Sequence, residues 1–555
     1  MSAVRRHFVT VGDRELHYRR AGEGPPVVLL AGAPRSSLEL VDLLEHLAPR
    51  CCAIAIDLPG YGGSDPPALA PPEVGDYADA IAGALDALGL RRAGVYGTHA
   101  GASVALELAH RHGERVAALL LDGPPTFDAT LRADLLAHAM PAIEPAIDGT
   151  HLVAAWTRHR DQHLFFPWYR RERAARLDLE MPDAQTLHEG LMDVLRAGPA
   201  YGAGLAAALR HDAGAALAAT EAPVLILARE GDPFAPAESF DPRVEGVAGA
   251  AEAADRIAAF FQAHAGELAA APAPPRPAAR ADAITRDYAP TSSGQLLVRR
   301  LGDGAGVPLV LLHASPGSAA MLSGLMRELA GERTVIAFDT LGNGGSDKPP
   351  WGAAEIGDYA AVVAQALGAL ELSEIDLYGT HTGAKIALEL SLREPALVRR
   401  LVLDGIGLYS DAQRDEMLAR YTPALVPSAD GSHLVMAWNF LRDQTLFWPW
   451  YNRTRAGIRW VEPLGPSKLH AWLLELLASG ATYPIAYRAA FRHPARERLP
   501  LLATPALFGA RGTDMIHAAT VEAAALAQRA STATLPEDDA GAAAVIAAFL
   551  ARAEP

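Results

Sequence analysis

Only two cysteines occur in 555 residues, Cys51 and Cys52, and they are adjacent. Neighbouring cysteines rarely bridge, so the sequence holds no disulfide framework and no zinc-ligand spacing, and a reducing, cytoplasmic setting is expected. No apolar run is long enough to cross a bilayer, and the opening MSAVRRHFVTV lacks the apolar stretch of a signal peptide. Excess positive charge is also missing. The net charge of −16 argues against nucleic acid or an anionic membrane as the main partner. No dinucleotide fingerprint or phosphate-binding loop appears, and no His/Asp/Glu cluster has metal-ligand spacing, so neither cofactor nor metal is expected. A small-molecule substrate remains. Hydrophobic residues at 50% against 21% charged are the composition of chains with real cores, and 555 residues call for at least two of them.

What is present is a duplication. AIAIDLPGYGGSD around Asp57 recurs as VIAFDTLGNGGSD around Asp339, and GVYGTHAG at His99 recurs as DLYGTHTG at His381. AWTRHRDQHLFFPWY around Trp156 recurs as AWNFLRDQTLFWPWY around Trp438, always at a separation of 282 positions (381 − 99). Asp232 and Asp514 share that offset. Two domains are therefore expected, 1–264 and 288–555, joined by a Pro/Ala-rich linker at 265–287.

Within each half, short β-branched runs alternate with amphipathic segments. In the second, PLVLLH, TVIAFD, IDLYG, RRLVLDG and PALFGA read as buried strands, with helices over 359–370 and 384–392 between them. That alternation predicts an α/β fold, a mostly parallel sheet flanked by helices, with the active site at the carboxyl ends of the strands. About ninety residues follow LVLDG, too many for a plain loop. They read as helical caps over 124–214 and 406–496.

The sharpest motif is G-T-H-x-G, at Gly97–Gly101 and Gly379–Gly383, each between a strand and a helix. It resembles the nucleophile elbow G-x-S-x-G of the α/β-hydrolase superfamily, with histidine in place of serine. LLHASPGS at His313 and LLAGAPRSS at Ala31 look like that family's oxyanion loop. D-x-x-G-x-G-x-S, at Asp57 to Ser64 and Asp339 to Ser346, matches its following loop. The resemblance covers nearly all of both halves and lies nearest the capped members, the haloalkane dehalogenases and carbon–carbon bond hydrolases. It implies a tandem pair of α/β-hydrolase domains. Asp232 and Asp514 match the triad acid, but the late histidine has no counterpart in either half, so no Ser-His-Asp set is complete.

An elbow histidine, His99 or His381, is thus a candidate base or nucleophile. Backbone N–H groups of Ala100 or Thr382, and of Ala33 or Ser315, are candidate oxyanion donors. The imidazole needs an orienting carboxylate. Asp122 and Asp404, at the ends of LLLDG and LVLDG, are the first choice, and Asp232 and Asp514 the second. His517, just past the acid, is a candidate substitute for the late histidine. Repeated cap residues are candidates to bind substrate: His151 and His433, Arg160 and Arg442, His493, Trp438, Asp443, Gln444 and Trp450, together with His313. Plainer readings stand beside these. In these the elbow is dead and its histidine only bonds a neighbour, Asp57 and Asp339 cap backbone amides, the Arg-Asp-Gln triplet is an internal ion pair, and LFWPWY is core.

These residues predict a cofactor-free hydrolase-type enzyme acting on an ester, lactone or 1,3-dicarbonyl. A lyase, decarboxylase or cyclase that uses histidine only to move protons, and a non-catalytic binding protein, are the alternatives. The second half, with His313, Ser315 and His517 where the first has alanines, is expected to be the better catalyst. The halves are expected to pack as a pseudo-dimer, with further oligomerisation open.

Overall fold

The computed structural model describes residues 4–237, 240–266 and 268–552. The chain divides into two units, 1–277 and 278–555. In the first, the strands are β1 (Arg5–Val11), β2 (Arg14–Ala21), β3 (Pro26–Leu30), β4 (Cys52–Ile56), β5 (Ala93–Thr98), β6 (Val116–Asp122), β7 (Val224–Arg229) and β8 (Val244–Val247). They form one sheet in the order β1-β2-β4-β3-β5-β6-β7-β8. Its pairs are parallel except β1 with β2 and β2 with β4.

Helices cover both faces, so these strands read as continuous apolar runs. Period two then sorts their residues. Val28, Leu30, Ile54 and Ile56 join the apolar cluster on one side, and Val27, Leu29, Ala53 and Ala55 the cluster on the other.

The second unit repeats this plan with β9 (Thr285–Thr291), β10 (Gly294–Leu312), β11 (Arg333–Phe338), β12 (Ile375–Thr380), β13 (Val398–Asp404), β14 (Ala506–Arg511) and β15 (Ala530–Leu535). Strand β10 doubles back. Val298 and Leu301 face Phe338 and Val335 on the way down, and Leu309 and Leu312 face Val335 and Phe338 on the way up. One long strand therefore does the work of β2 and β3. Gly302, at φ +90°, supplies a conformation other residues resist. Strand β9 begins at Thr285, inside the segment expected to be linker, because Thr285 to Thr291 find partners in Arg300 to Gly294.

The helix that follows the D-x-x-G-x-G-x-S loop is capped alike in both units. Glu73 and Asp76 form a capping box for Val74–Ala87, and Glu355 and Asp358 form one for Ile356–Ala369. The long inserts are helical. Thr150–Asp161 and Ala184–Ala197 lie in the first, and Ser432–Leu446, Pro466–Ser479 and Tyr483–Arg492 in the second. Among the described residues no helix is long and apolar enough to cross a membrane.

Candidate active site

Each elbow packs strand against helix so closely that only glycine fits. A Cβ on Gly379 would overlap the carbonyl of Gly383, and one on Gly383 the carbonyl of Leu312. Gly97 and Gly101 are held the same way. His99 and His381 take the sharp corner itself, at φ 49° and 50°, where non-glycine residues are uncommon and strained. As the residue after the corner, Thr382 is the first of its helix, so its N–H has no intrahelical acceptor, and Ala100 repeats this.

His381 Nε2 lies 3.0 Å from an oxygen of Asp514, and His99 Nε2 lies 3.0 Å from Asp232. The second carboxylate oxygen is held by backbone, from Ile516 N–H at 3.0 Å and from Phe234 N–H at 2.9 Å. Burial alone would lower each imidazole pKa, but the hydrogen bond and charge of the aspartate outweigh it and hold both above the ordinary histidine value. Burial likewise opposes ionisation of Asp232 and Asp514, yet the histidine bonds keep both below the usual carboxylate range. Nδ1 of His381 has no partner among the described residues, and the side chain is 36% exposed. The strand-end glycines make room for this pair. A Cβ on Gly405 would meet Asp514 at 2.9 Å and His381 Nε2 at 3.1 Å.

The first-choice dyads are thus corrected. Asp404 accepts the Tyr378 hydroxyl at 2.6 Å, and Asp122 accepts the Tyr96 hydroxyl at 2.7 Å and the Arg229 guanidinium. Neither binds the imidazole. Burial raises the Asp404 pKa.

Above His381 opens a cavity of about 380 Å³, walled by strand ends and by the helical insert. Ser315, Thr382, Asp404 and Asp514 line it from the sheet side, and Gln444, Trp448, Arg459 and Tyr487 from the insert. Ser315 Oγ and Gln444 Nε2 are buried without a hydrogen-bond partner among the described residues. Arg459 donates to the Gln444 carbonyl at 2.7 Å, and burial lowers its pKa. Beside His99, whose side chain is 40% exposed, the ring of Phe234 packs at 4.6 Å, backed by Phe127 and Phe166. Ala33 is half-buried and Ala100 buried.

Most other candidates serve the fold. His517 turns its Nδ1 to the Arg511 carbonyl at 3.1 Å, so it does not replace a late histidine. His313 is enclosed, bonded to the Ala314 carbonyl and to Thr340. His433 and His151 accept backbone N–H groups of Ser428 and Ala146. His493 holds Glu389 at 2.9 Å. Trp438 is a core residue, 1% exposed, and Trp450 donates to the Tyr421 carbonyl. Arg442 points to the surface and Asp443 pairs with Arg453. Arg160 is half-buried, its Nε unpartnered among the described residues. Of the repeated triplet only Gln444 reaches the cavity.

Sequence reasoning missed Lys385, Tyr409, Tyr421, Arg459 and Tyr487 of the cavity wall. Their counterparts at the 282-residue offset are Ser103, Phe127, Ala139, Leu177 and Leu205, so a search for identities between halves passes over them. Among the described residues no group of three or more His, Cys, Asp or Glu is placed to hold a metal ion.

Curated relatives include a 2-hydroxymuconate semialdehyde hydrolase of Pseudomonas sp. (strain CF600), 43% identical over 105 residues, 18% of this chain and 37% of that protein. A proline iminopeptidase of Heyndrickxia coagulans is 28% identical over 126 residues, 22% of this chain and 43% of that one. The chain therefore spans well under half the length of these relatives. Among solved structures, a hydrolase from Pseudomonas aeruginosa PA01 covers 49% of this chain and all of its own, at TM-score 0.38 and 22% identity. An E-2-(acetamidomethylene)succinate hydrolase covers 47% of this chain and 99% of its own, at TM-score 0.37 and 22% identity. The model of the alpha/beta hydrolase fold family matches twice, over residues 25–240 and 307–441, once on each sheet and elbow. With two such matches over more than half its length, the chain belongs to the alpha/beta hydrolase fold family.

Proposed function

We propose that the second unit is a cofactor-free hydrolase-type centre for a small, partly apolar carbonyl compound (an ester, lactone or 1,3-dicarbonyl), with His381 as its base or nucleophile. One observation carries this reading: the His381–Asp514 contact of 3.0 Å under an open cavity, with Nδ1 of the ring left unpartnered among the described residues. Histidine then occupies the place the family's elbow gives to serine. Asp514 accepts the hydrogen bond from Nε2–H and fixes the tautomer, so the lone pair stands on Nδ1. A water that gives Nδ1 its proton can attack the substrate carbonyl carbon, or Nδ1 can attack that carbon itself. Charge then builds on the carbonyl oxygen, and the free N–H of Thr382 with that of Ser315 are the donors suited to receive it. On a 1,3-dicarbonyl the same nitrogen removes the proton between the carbonyls. The printed name of one relative, a semialdehyde hydrolase, supports a small carbonyl substrate. The first unit, with Phe234 against His99, is the weaker copy.

Steady-state assays of the full chain with p-nitrophenyl acetate, γ-butyrolactone and acetylacetone test this. The expected result is turnover of at least one, with kcat/KM rising with pH through a midpoint above about 6.5, the ordinary imidazole value. Binding of such compounds with no turnover of any would overturn it.

A further inference from the structure

Lysine is scarce in this chain. Against 49 Lys and Arg together there are three lysines, Lys348, Lys385 and Lys468, all in the second unit. Two of them are exposed. Lys385 is 3% exposed and forms part of the cavity wall, four residues past the elbow on the helix Thr382–Arg393. Its Nζ donates to the Ala490 carbonyl at 2.7 Å and lies 4.9 Å from the centre of the Tyr409 ring. Ala490 and Tyr409 are wall residues too, so the neighbours of this nitrogen border the cavity.

A buried ammonium ordinarily requires a carboxylate. Lys385 has none within ion-pair distance among the described residues. Glu389, one turn on, is already engaged by His493 at 2.9 Å and by Arg498 at 2.6 Å. Burial with no counter-charge favours the neutral amine, and the pKa of Lys385 falls to about 7. An uncharged, desolvated amine is the form that adds to carbonyl carbon. The first unit has Ser103 at the matching position.

We propose that Lys385 is a carbonyl-condensing amine, and that the cavity over the second elbow holds a small apolar aldehyde or ketone as an imine on Nζ. The nitrogen lone pair forms the C–N bond while the carbonyl π pair moves to oxygen. That oxygen then leaves as one water carrying both amine hydrogens, so no oxidant or reductant is consumed. The step does not depend on His381.

Reductive trapping tests it. The full chain is treated with benzaldehyde and sodium cyanoborohydride at pH 7, and labelled peptides are mapped by mass spectrometry. Lys385 is expected to acquire one benzyl group at least about tenfold faster than Lys348 or Lys468, because each unit of pKa changes the free-amine fraction about tenfold. Lys385→Arg, folded by circular dichroism, is expected to lose that fast label, and His381→Ala to keep it. Label confined to Lys348, Lys468 or the amino terminus, or equal rates at all sites, would overturn the proposal. So would loss of the Lys385 label in folded His381→Ala. Failure of the ester, lactone and diketone assays would leave this result untouched, so the two readings fail separately.

Discussion

Asp404 and Asp514 both line the cavity over His381, and their partners separate them. Asp404 spends its carboxylate on the Tyr378 hydroxyl, whereas Asp514 has one oxygen on Ile516 N–H and the other free for the imidazole. Asp514→Asn is therefore expected to lower kcat/KM about a hundredfold or more, and Asp404→Asn by about tenfold at most. Asp514→Asn should also move the acid limb to lower pH, since it removes the group that raises the His381 pKa. An unmoved limb would count against the dyad. The same linkage predicts a stability effect that can be read in the first unit. His99 is raised, so its contribution is full below about 6.5 and fades as pH rises through the folded value. Asp232 is lowered, so its contribution is full above about 3.9 and fades only in stronger acid. The melting temperature of Asp232→Asn should thus fall furthest below that of the parent near pH 5, with the gap shrinking by pH 9. A gap constant across that range would contradict the pairing. The sequence narrows the orienting acid to two carboxylates per half and then chooses the wrong one. The tyrosine that claims the other repeats as Tyr96 and Tyr378 and reads as an ordinary core aromatic.

The elements were the most legible layer. Runs such as PVVLL and CAIAI, buried on every residue, can only be strands covered on both faces, and the sheet sorts them by alternate residue. The glycines of the elbow were equally readable, because the tight corner leaves no room for a Cβ. Gly383→Ala is expected to cost about 1–3 kcal/mol or more in urea unfolding, the range of overpacking against backbone. Gly352→Ala, exposed and with nothing within 4 Å of the added carbon, should stay within about 0.5 kcal/mol. Equal effects would mean the strand–helix contact is looser than described. The start of β9 was not legible, since its value lies in a partner strand a few residues away and not in its own pattern. The cap side chains were misread for another reason. His151, His433 and Trp438 repeat because they hold the insert together, through backbone N–H groups and core packing.

Across the whole chain, the duplication preserves the sheet, the elbow and the His–Asp contact, and lets the surroundings diverge. One histidine faces an open cavity with Lys385, Arg459 and Tyr487 in its wall, and the other faces Phe234. Identity between the halves therefore marks what any such unit needs in order to fold and to place its imidazole. The cavity wall is built from the differences, which one sequence without structure does not assemble in space. This asymmetry gives the decisive measurement, kcat/KM of the full chain on p-nitrophenyl acetate in His381→Ala and, separately, His99→Ala. The account predicts a loss of about a hundredfold or more in the first and retention of at least about half the activity in the second. Equal losses, or full activity in His381→Ala, would contradict it.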